Sequence, residues 1–190
     1  MGRSTNRRQS GSRRSSDRSR SDHWTDKAKG EGYAARSVYK LQEIDERVGL
    51  VRSGARVVGV DISEVEGFPG TFLHDSVYDV SADEVIEALS GPADLVVSDM
   101  APATTGARTT DHLRQVALAE RALELATEIL SPGGAFVAKV FDSADAPAFV
   151  DAVRSQFTKV RRVRPQASRT ESREFFVVAQ GYAPTKVPST

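Results

Sequence analysis

One stretch constrains this chain more than any other: Ala93-Asp94-Leu95-Val96-Val97-Ser98-Asp99-Met100-Ala101-Pro102. Leu95 to Val97 reads as a short buried strand running into a carboxylate and then a proline-broken loop. Apolar, β-branched strands of this kind belong to sheets covered on both faces, which points to parallel α/β architecture. Ligands gather beyond the carboxyl ends of such strands. Asp99 is therefore predicted at the rim where chemistry is done, with an Asp that merely opens a turn as the plainer alternative.

At 190 residues the chain is long enough for one domain with a substantial core. It has no cysteine, which removes disulfides, thiolate metal sites and thiol nucleophiles. Three scattered histidines, His23, His74 and His112, argue against a histidine-rich metal site, and no metal is expected. No apolar run reaches membrane-spanning length, and the arginine-rich start lacks the apolar segment of a signal peptide. The expectation is a soluble cytoplasmic protein without a membrane partner. The net charge of zero hides an asymmetry: residues 1–22 carry seven arginines against Asp17 and Asp22, so they hold +5 and the remainder −5. Rich in Ser and Arg, this segment cannot bury enough surface to order itself and is read as a mobile basic arm. Such arms rest on phosphate backbones; a solubilising tail is the simpler reading.

His23 to Tyr33 reads as a polar lead-in anchored by Trp24. From Arg36 to Leu50, Val38, Leu41, Ile44 and Val48 fall at helical spacing, and Lys40 lies off that stripe, where most lysines are solvated. Arg56 to Asp61 is the first strand, and a carboxylate closing an early strand of a doubly wound sheet suits ribose hydroxyls. A second strand, Thr71 to His74, leads to Asp75. Ser81-Ala82-Asp83-Glu84 is a capping box opening a short helix. After the loop Thr104 to Thr110, Asp111 is predicted to cap a long helix with Leu113, Val116, Ala119, Leu123, Ala126 and Leu130 on one buried face. Pro132-Gly133-Gly134 then ends it.

The next strand, Ala135 to Phe141, is apolar except for Lys139. Burying an ammonium without partners is costly enough to recruit an anion or to favour the neutral amine. Lys139 is thus the strongest single-residue anomaly in the sequence, set against a lysine that snorkels to the surface. After a helix over 146–157, Lys159 to Arg164 alternates basic and apolar residues as an edge strand with a wet, positive face would. A polar loop carrying Arg169 leads through Arg173 and Glu174 to a last strand, Phe175 to Ala179. The domain is drawn over 23–181, with a disordered tail over 182–190.

With these residues in hand, the chain resembles the FtsJ-like family of ribosomal RNA 2′-O-ribose methyltransferases. The resemblance rests on four stretches in the family's order: Gly32-Tyr33-Ala34-Ala35-Arg36-Ser37-Val38-Tyr39-Lys40-Leu41, Val97-Ser98-Asp99-Met100-Ala101-Pro102, Gly133 to Phe141, and Ser172-Arg173-Glu174-Phe175. It implies a Rossmann-like methyltransferase fold, a mostly parallel sheet with helices on both faces. It also implies S-adenosylmethionine as cofactor, a uridine of large-subunit ribosomal RNA as substrate, and a monomer. Matching by motif puts the family's Lys-Asp-Lys-Glu tetrad on Lys40, Asp99, Lys139 and Glu174. Lys139 is the expected base, aligned by Asp99 and Lys40, with Glu174 holding the second lysine or the ribose. Asp61 would accept from the cofactor ribose, Asp75 from the adenine amino group, and Asp99 would lie near the methionine end.

The sequence departs from the family at one place. The glycine-rich loop between the first strand and the first sheet helix, roughly Asp-Leu-Gly-Ala-Ala-Pro-Gly, is missing. Gly54-Ala55-Arg56-Val57-Val58 resembles the start of the family's first strand, and Val57-Val58-Gly59-Val60-Asp61 its second. About one βα unit is lost, which leaves the sheet with an unfilled slot or a shifted order. Two functions remain open: the methyltransferase, and a non-catalytic RNA- or ribosome-binding module that keeps the family's RNA surface. A nicotinamide enzyme is distant, since no G-x-G-x-x-G fingerprint is present.

Overall fold

The computed structural model describes residues 23–32, 37–62, 71–103, 105–166 and 174–184. The basic arm, Tyr33 to Arg36 and Ser172-Arg173 of the quoted motifs, the loop with Arg169 and the tail beyond 184 lie outside the described residues. The elements run α1 (His23–Gly30), α2 (Ser37–Val48), β1 (Val58–Asp61), β2 (Thr71–His74), α3 (Ala82–Leu89), β3 (Ala93–Ser98), α4 (Arg108–Ile129), β4 (Leu130–Phe141), α5 (Ala146–Gln156), β5 (Phe157–Val163) and β6 (Glu174–Tyr182).

The lead-in expected over 23–33 is mostly helix α1. α2 ends where Gly49 adopts φ +67°, a left-handed turn that costs glycine no Cβ clash. The Asp45 side chain then accepts from the Leu50 and Val51 amides, each at 2.7 Å. The Ser81–Glu84 capping box forms as read, with the Glu84 amide donating to Ser81 Oγ and the Ser81 amide to Glu84 Oε2.

β4 holds the centre of a four-stranded sheet ordered β3-β4-β6-β5. β3 runs parallel to β4, while β6 is antiparallel to both β4 and β5. β1 and β2 form a separate parallel pair. Parallel and antiparallel pairings are thus equal in number among the described residues, which corrects the expectation of a mostly parallel sheet. Among the described residues no ladder joins β1 to β3, so the strands fall into two sheets.

Helices cover both faces, and strand alternation decides what each meets. Phe136, Ala138 and Val140 of β4, with Phe175, Val177 and Ala179 of β6, join the large core under α3, α4 and α5. Ala135 and Val137 of β4, Phe176 and Val178 of β6, and Leu95 of β3 pack against Ile44, Leu41 and Val48 of α2. Odd-numbered β4 positions and even-numbered β6 positions therefore face α2, and these parities include Lys139 and Glu174.

Candidate active site

Lys40, on α2, is buried with 4% of its surface exposed, which overturns its reading as a solvated residue. Its ammonium donates to Glu174, the first residue of β6, and stands 5.8 Å from the centroid of the Phe176 ring. Lys139 is also buried; its Nζ donates to the Asp99 backbone oxygen at 2.5 Å and lies 3.1 Å from Asp99 Oδ1. Register sets the spacing on this face, because Lys139 opposes Phe176 and Phe141 opposes Glu174, making Lys139 and Glu174 diagonal neighbours. The four side chains thus form two ion pairs at one end of one face. The Lys40–Glu174 pair is sealed, whereas the Asp99 side chain keeps 25% of its surface open. Asp99 Oδ1 is buried yet makes no aligned hydrogen bond. Its charge partner is the Lys139 ammonium beside it.

Asp99 also borders a cavity of about 570 Å³ with Val60, Ile62, Asp75, Tyr78 and Met100, at the carboxyl ends of β1, β2 and β3. This volume lies in the range of small-molecule sites. Asp75 is exposed and accepts from the Ser76 amide at 2.7 Å. Asp61 closes β1, and the described part of it is its backbone. A larger cavity, about 640 Å³, opens at the opposite end of the sheet between 49–55 and Gly133–Ala135, and none of the tetrad lines it.

Of three supports of this site, Gln115 and Arg121 are absent from the sequence reading and Asp111 enters it only as a helix cap. Gln115 of α4, 1% exposed, donates through Nε2 to the Lys139 carbonyl at 2.5 Å and accepts from the Phe141 amide at 3.0 Å. β3 pairs with β4 only as far as Ser98↔Ala138. Past that point the Gln115 amide does what the next peptide of a parallel neighbour would do, and it fixes the backbone carrying Lys139. Asp111 accepts from the Thr105 amide and hydroxyl (2.9 and 2.8 Å) and from the Gly106 amide (3.2 Å), holding the loop that follows Asp99. These bonds, those from Thr105 foremost, hold its carboxyl below the ordinary aspartate range. Asp111 is not the cap itself, because α4 starts at Arg108 with Ala107 as N-cap and Asp111 in the first turn. Arg121 donates to the carbonyls of Val77 and Val80 (3.0 and 3.1 Å), clamping the segment after Asp75. A glutamine among the apolar positions of a long helix was the available signal for Gln115.

At the edge of the sheet, Lys159, Arg161 and Arg162 of β5 are exposed. The Arg162 guanidinium lies 4.9 Å from the Phe175 ring, and Arg164 pairs with Asp142 at 2.7 Å.

A divided α/β sheet with helices on both faces, and a charged cluster at its strand ends, defines a Rossmann-like methyltransferase fold. Residues 51–182 match the family profile described as FtsJ-like methyltransferase, and the chain belongs to that family. It is 42% identical to the ribosomal RNA large subunit methyltransferase E of Maricaulis maris, covering 92% of this chain and 71% of the relative. It is 39% identical to the protein of that name from Acidiphilium cryptum, covering 86% and 83%. A solved Plasmodium falciparum protein described as a ribosomal RNA methyltransferase shares the fold, with TM-score 0.71 at 17% identity over 80% of this chain and 100% of that one. The Maricaulis maris alignment spans 199 positions against about 175 residues of this chain, 92% of 190. About 24 positions of the relative therefore face no residue here.

Proposed function

We propose that the chain transfers a methyl group from S-adenosylmethionine to the 2′-hydroxyl of a uridine in large-subunit ribosomal RNA. The observation that carries this reading is the convergence of Lys139 with Asp99, and of Lys40 with Glu174, on the α2 face of the sheet. Names of relatives sharing about 40% of its residues supply the substrate class. The site fits the nucleoside half of the cofactor: Asp75 and Asp99 share one cavity, and the Asp99 side chain keeps 25% of its surface open. Asp61, at the end of the neighbouring strand, would take the ribose hydroxyls and Asp75 the adenine amino group. The cofactor supplies an activated methyl group on a sulfonium.

A ribose hydroxyl is a poor nucleophile, and Lys139 Nζ, after giving up its ammonium proton, takes the hydroxyl proton as the oxygen attacks. Asp99 orients the hydroxyl and keeps Lys139 aimed. Glu174 neutralises Lys40 and fixes α2 over the site, so the reacting groups are held in line. The exposed cations of β5 and the arginines of 1–22 would grip phosphates, which position RNA without reading its sequence. Among the described residues no helix is long and apolar enough to cross a membrane; a cytoplasmic monomer acting on ribosomal subunits is the setting we propose.

The divided sheet favours a second reading, a non-catalytic RNA-binding member. Calorimetric titration with S-adenosylmethionine and transfer of radioactive methyl groups to large-subunit RNA separate the two. The enzymatic reading predicts binding and labelling, with labelling lost by at least ~100-fold in Lys139→Ala. Salt-sensitive RNA binding with neither cofactor binding nor labelling would establish the second reading instead.

A further inference from the structure

Among the described residues five phenylalanines lie on the four-stranded sheet, and four of them are sealed. Phe136, Phe157, Phe175 and Phe176 keep 6% of their surface or less. Phe141, the last residue of β4, is only half-buried and joins none of the apolar clusters. It stands directly opposite Glu174 and two residues beyond Lys139, so it shares the α2 face with both. Its Cα is about 7 Å along the strand from that of Lys139. Its amide is held by Gln115, and its ring meets His112, about one helical turn before Gln115, edge to face with centroids 5.8 Å apart. His112 is half-buried as well. An edge-to-face pair leaves each ring a face that its neighbour does not cover. Phe141 thus forgoes part of the burial its counterparts enjoy, and does so beside the charged cluster.

We propose that Phe141 and His112 form a stacking platform for the base of the nucleotide whose ribose is methylated. The inference rests on the placement of the ribose hydroxyl at Lys139 given above. A nucleoside held there by its 2′-oxygen has to lay its base to one side of the lysine. Toward β3 stand Asp99 and the cofactor cavity. Back along β4, Val137 packs against α2. Across the face, the Lys40–Glu174 pair is sealed. The remaining direction runs forward along β4 to Phe141. Unstacked RNA bases are held on aromatic faces, imidazole included, because every base presents a π-face of its own. The ligand class is therefore a planar nucleobase. Stacking accepts all four bases, so the platform holds the nucleotide and leaves the choice of uridine to other contacts.

The test measures binding of the full chain to a short oligouridylate and to an abasic ribose-phosphate oligomer of equal length, which carries the same charges without bases. The native chain is expected to prefer the oligouridylate about tenfold, the effect of one stacked base. Phe141→Leu keeps an apolar side chain without a ring, and should erase the preference while leaving the affinity for the abasic oligomer as it was. Phe141→Trp should retain the preference. His112→Ala should reduce it, and supplies the readout if the leucine variant does not fold. A native chain without preference, a preference that survives both Phe141→Leu and His112→Ala, or equal weakening of both oligomers would overturn the proposal. The binding comparison involves no methyl transfer. A native chain that shows the ring-dependent preference but never labels RNA would contradict the methyltransferase reading alone.

Discussion

Lys40 and Glu174 stand 134 positions apart in the sequence and meet as a buried ion pair between α2 and the start of β6. The pair closes the α2 face of the sheet at the end where Lys139 emerges from β4, so one interaction serves both packing and the site.

Removing one member of a buried pair leaves the other charge uncompensated, at a cost of about 3–5 kcal/mol, whereas replacing both by apolar groups is near neutral. Glu174→Leu should therefore lower the unfolding free energy by about 3 kcal/mol. Lys40→Met/Glu174→Leu should recover most of that loss in denaturant titration. Additive losses in the double variant would mean that the two side chains act separately.

Gln115→Leu keeps the volume but removes a donor and an acceptor from the β4 backbone at Lys139 and Phe141. Each polar group left unpaired costs about 1–3 kcal/mol, so for two of them a loss of about 2–6 kcal/mol is expected. Methyl transfer should fall at unchanged cofactor affinity, because the change acts on the placement of Lys139. Unaltered stability would show that the two hydrogen bonds contribute nothing.

Asp111 binds its proton less readily in the folded chain than in the unfolded one, through its hydrogen bonds from Thr105. The sign follows from linkage: its contribution is whole above the ordinary aspartate range and is lost as pH falls through the lower folded-state value. Stability measured from neutral pH downward should show an acid-side decline that Asp111→Asn lessens. An identical acid profile in the variant would remove Asp111 from the account.

Lys159→Glu with Arg161→Glu should weaken RNA binding uniformly across sequences. The slope of log K against log salt should shrink by about one for each phosphate that is no longer neutralised. A change in sequence preference at constant slope would instead mark these residues as base readers.

The charges that break apolar runs were legible in the sequence. Asp99 follows Leu95-Val96-Val97-Ser98 and Lys139 interrupts a strand, and they meet at 3.1 Å. Lys40 was legible only through the family resemblance, because helical spacing ranks only apolar positions and its partner lies 134 residues away. Leu113 was placed on the buried face of α4 but is 54% exposed. At 3.6 residues per turn it lies on the far side from Asp111 and Gln115, two polar residues that take the inward positions. The strand β4 begins at Leu130 rather than Ala135, because pairing slips from Ala93↔Leu130 to Leu95↔Ala135 and a bulge absorbs the Pro-Gly-Gly segment. The shared Arg-Val-Val reads as the splice of two family strands, and the strands that follow it stand in a sheet separate from β3. Whether the sheet would close up or stay divided depends on tertiary packing under β1 and β3, which no local pattern encodes.

The central claim is that Lys139 removes the proton from a ribose hydroxyl. Its most direct measurement is single-turnover transfer to large-subunit RNA at saturating S-adenosylmethionine, comparing the native chain with Lys139→Ala and locating the methyl group by mass spectrometry. The account predicts a 2′-O-methyl uridine from the native chain, and a rate at least ~100-fold lower in the variant with cofactor affinity preserved. Transfer that continues at the native rate without Lys139, or a methyl group found on a base, would contradict it.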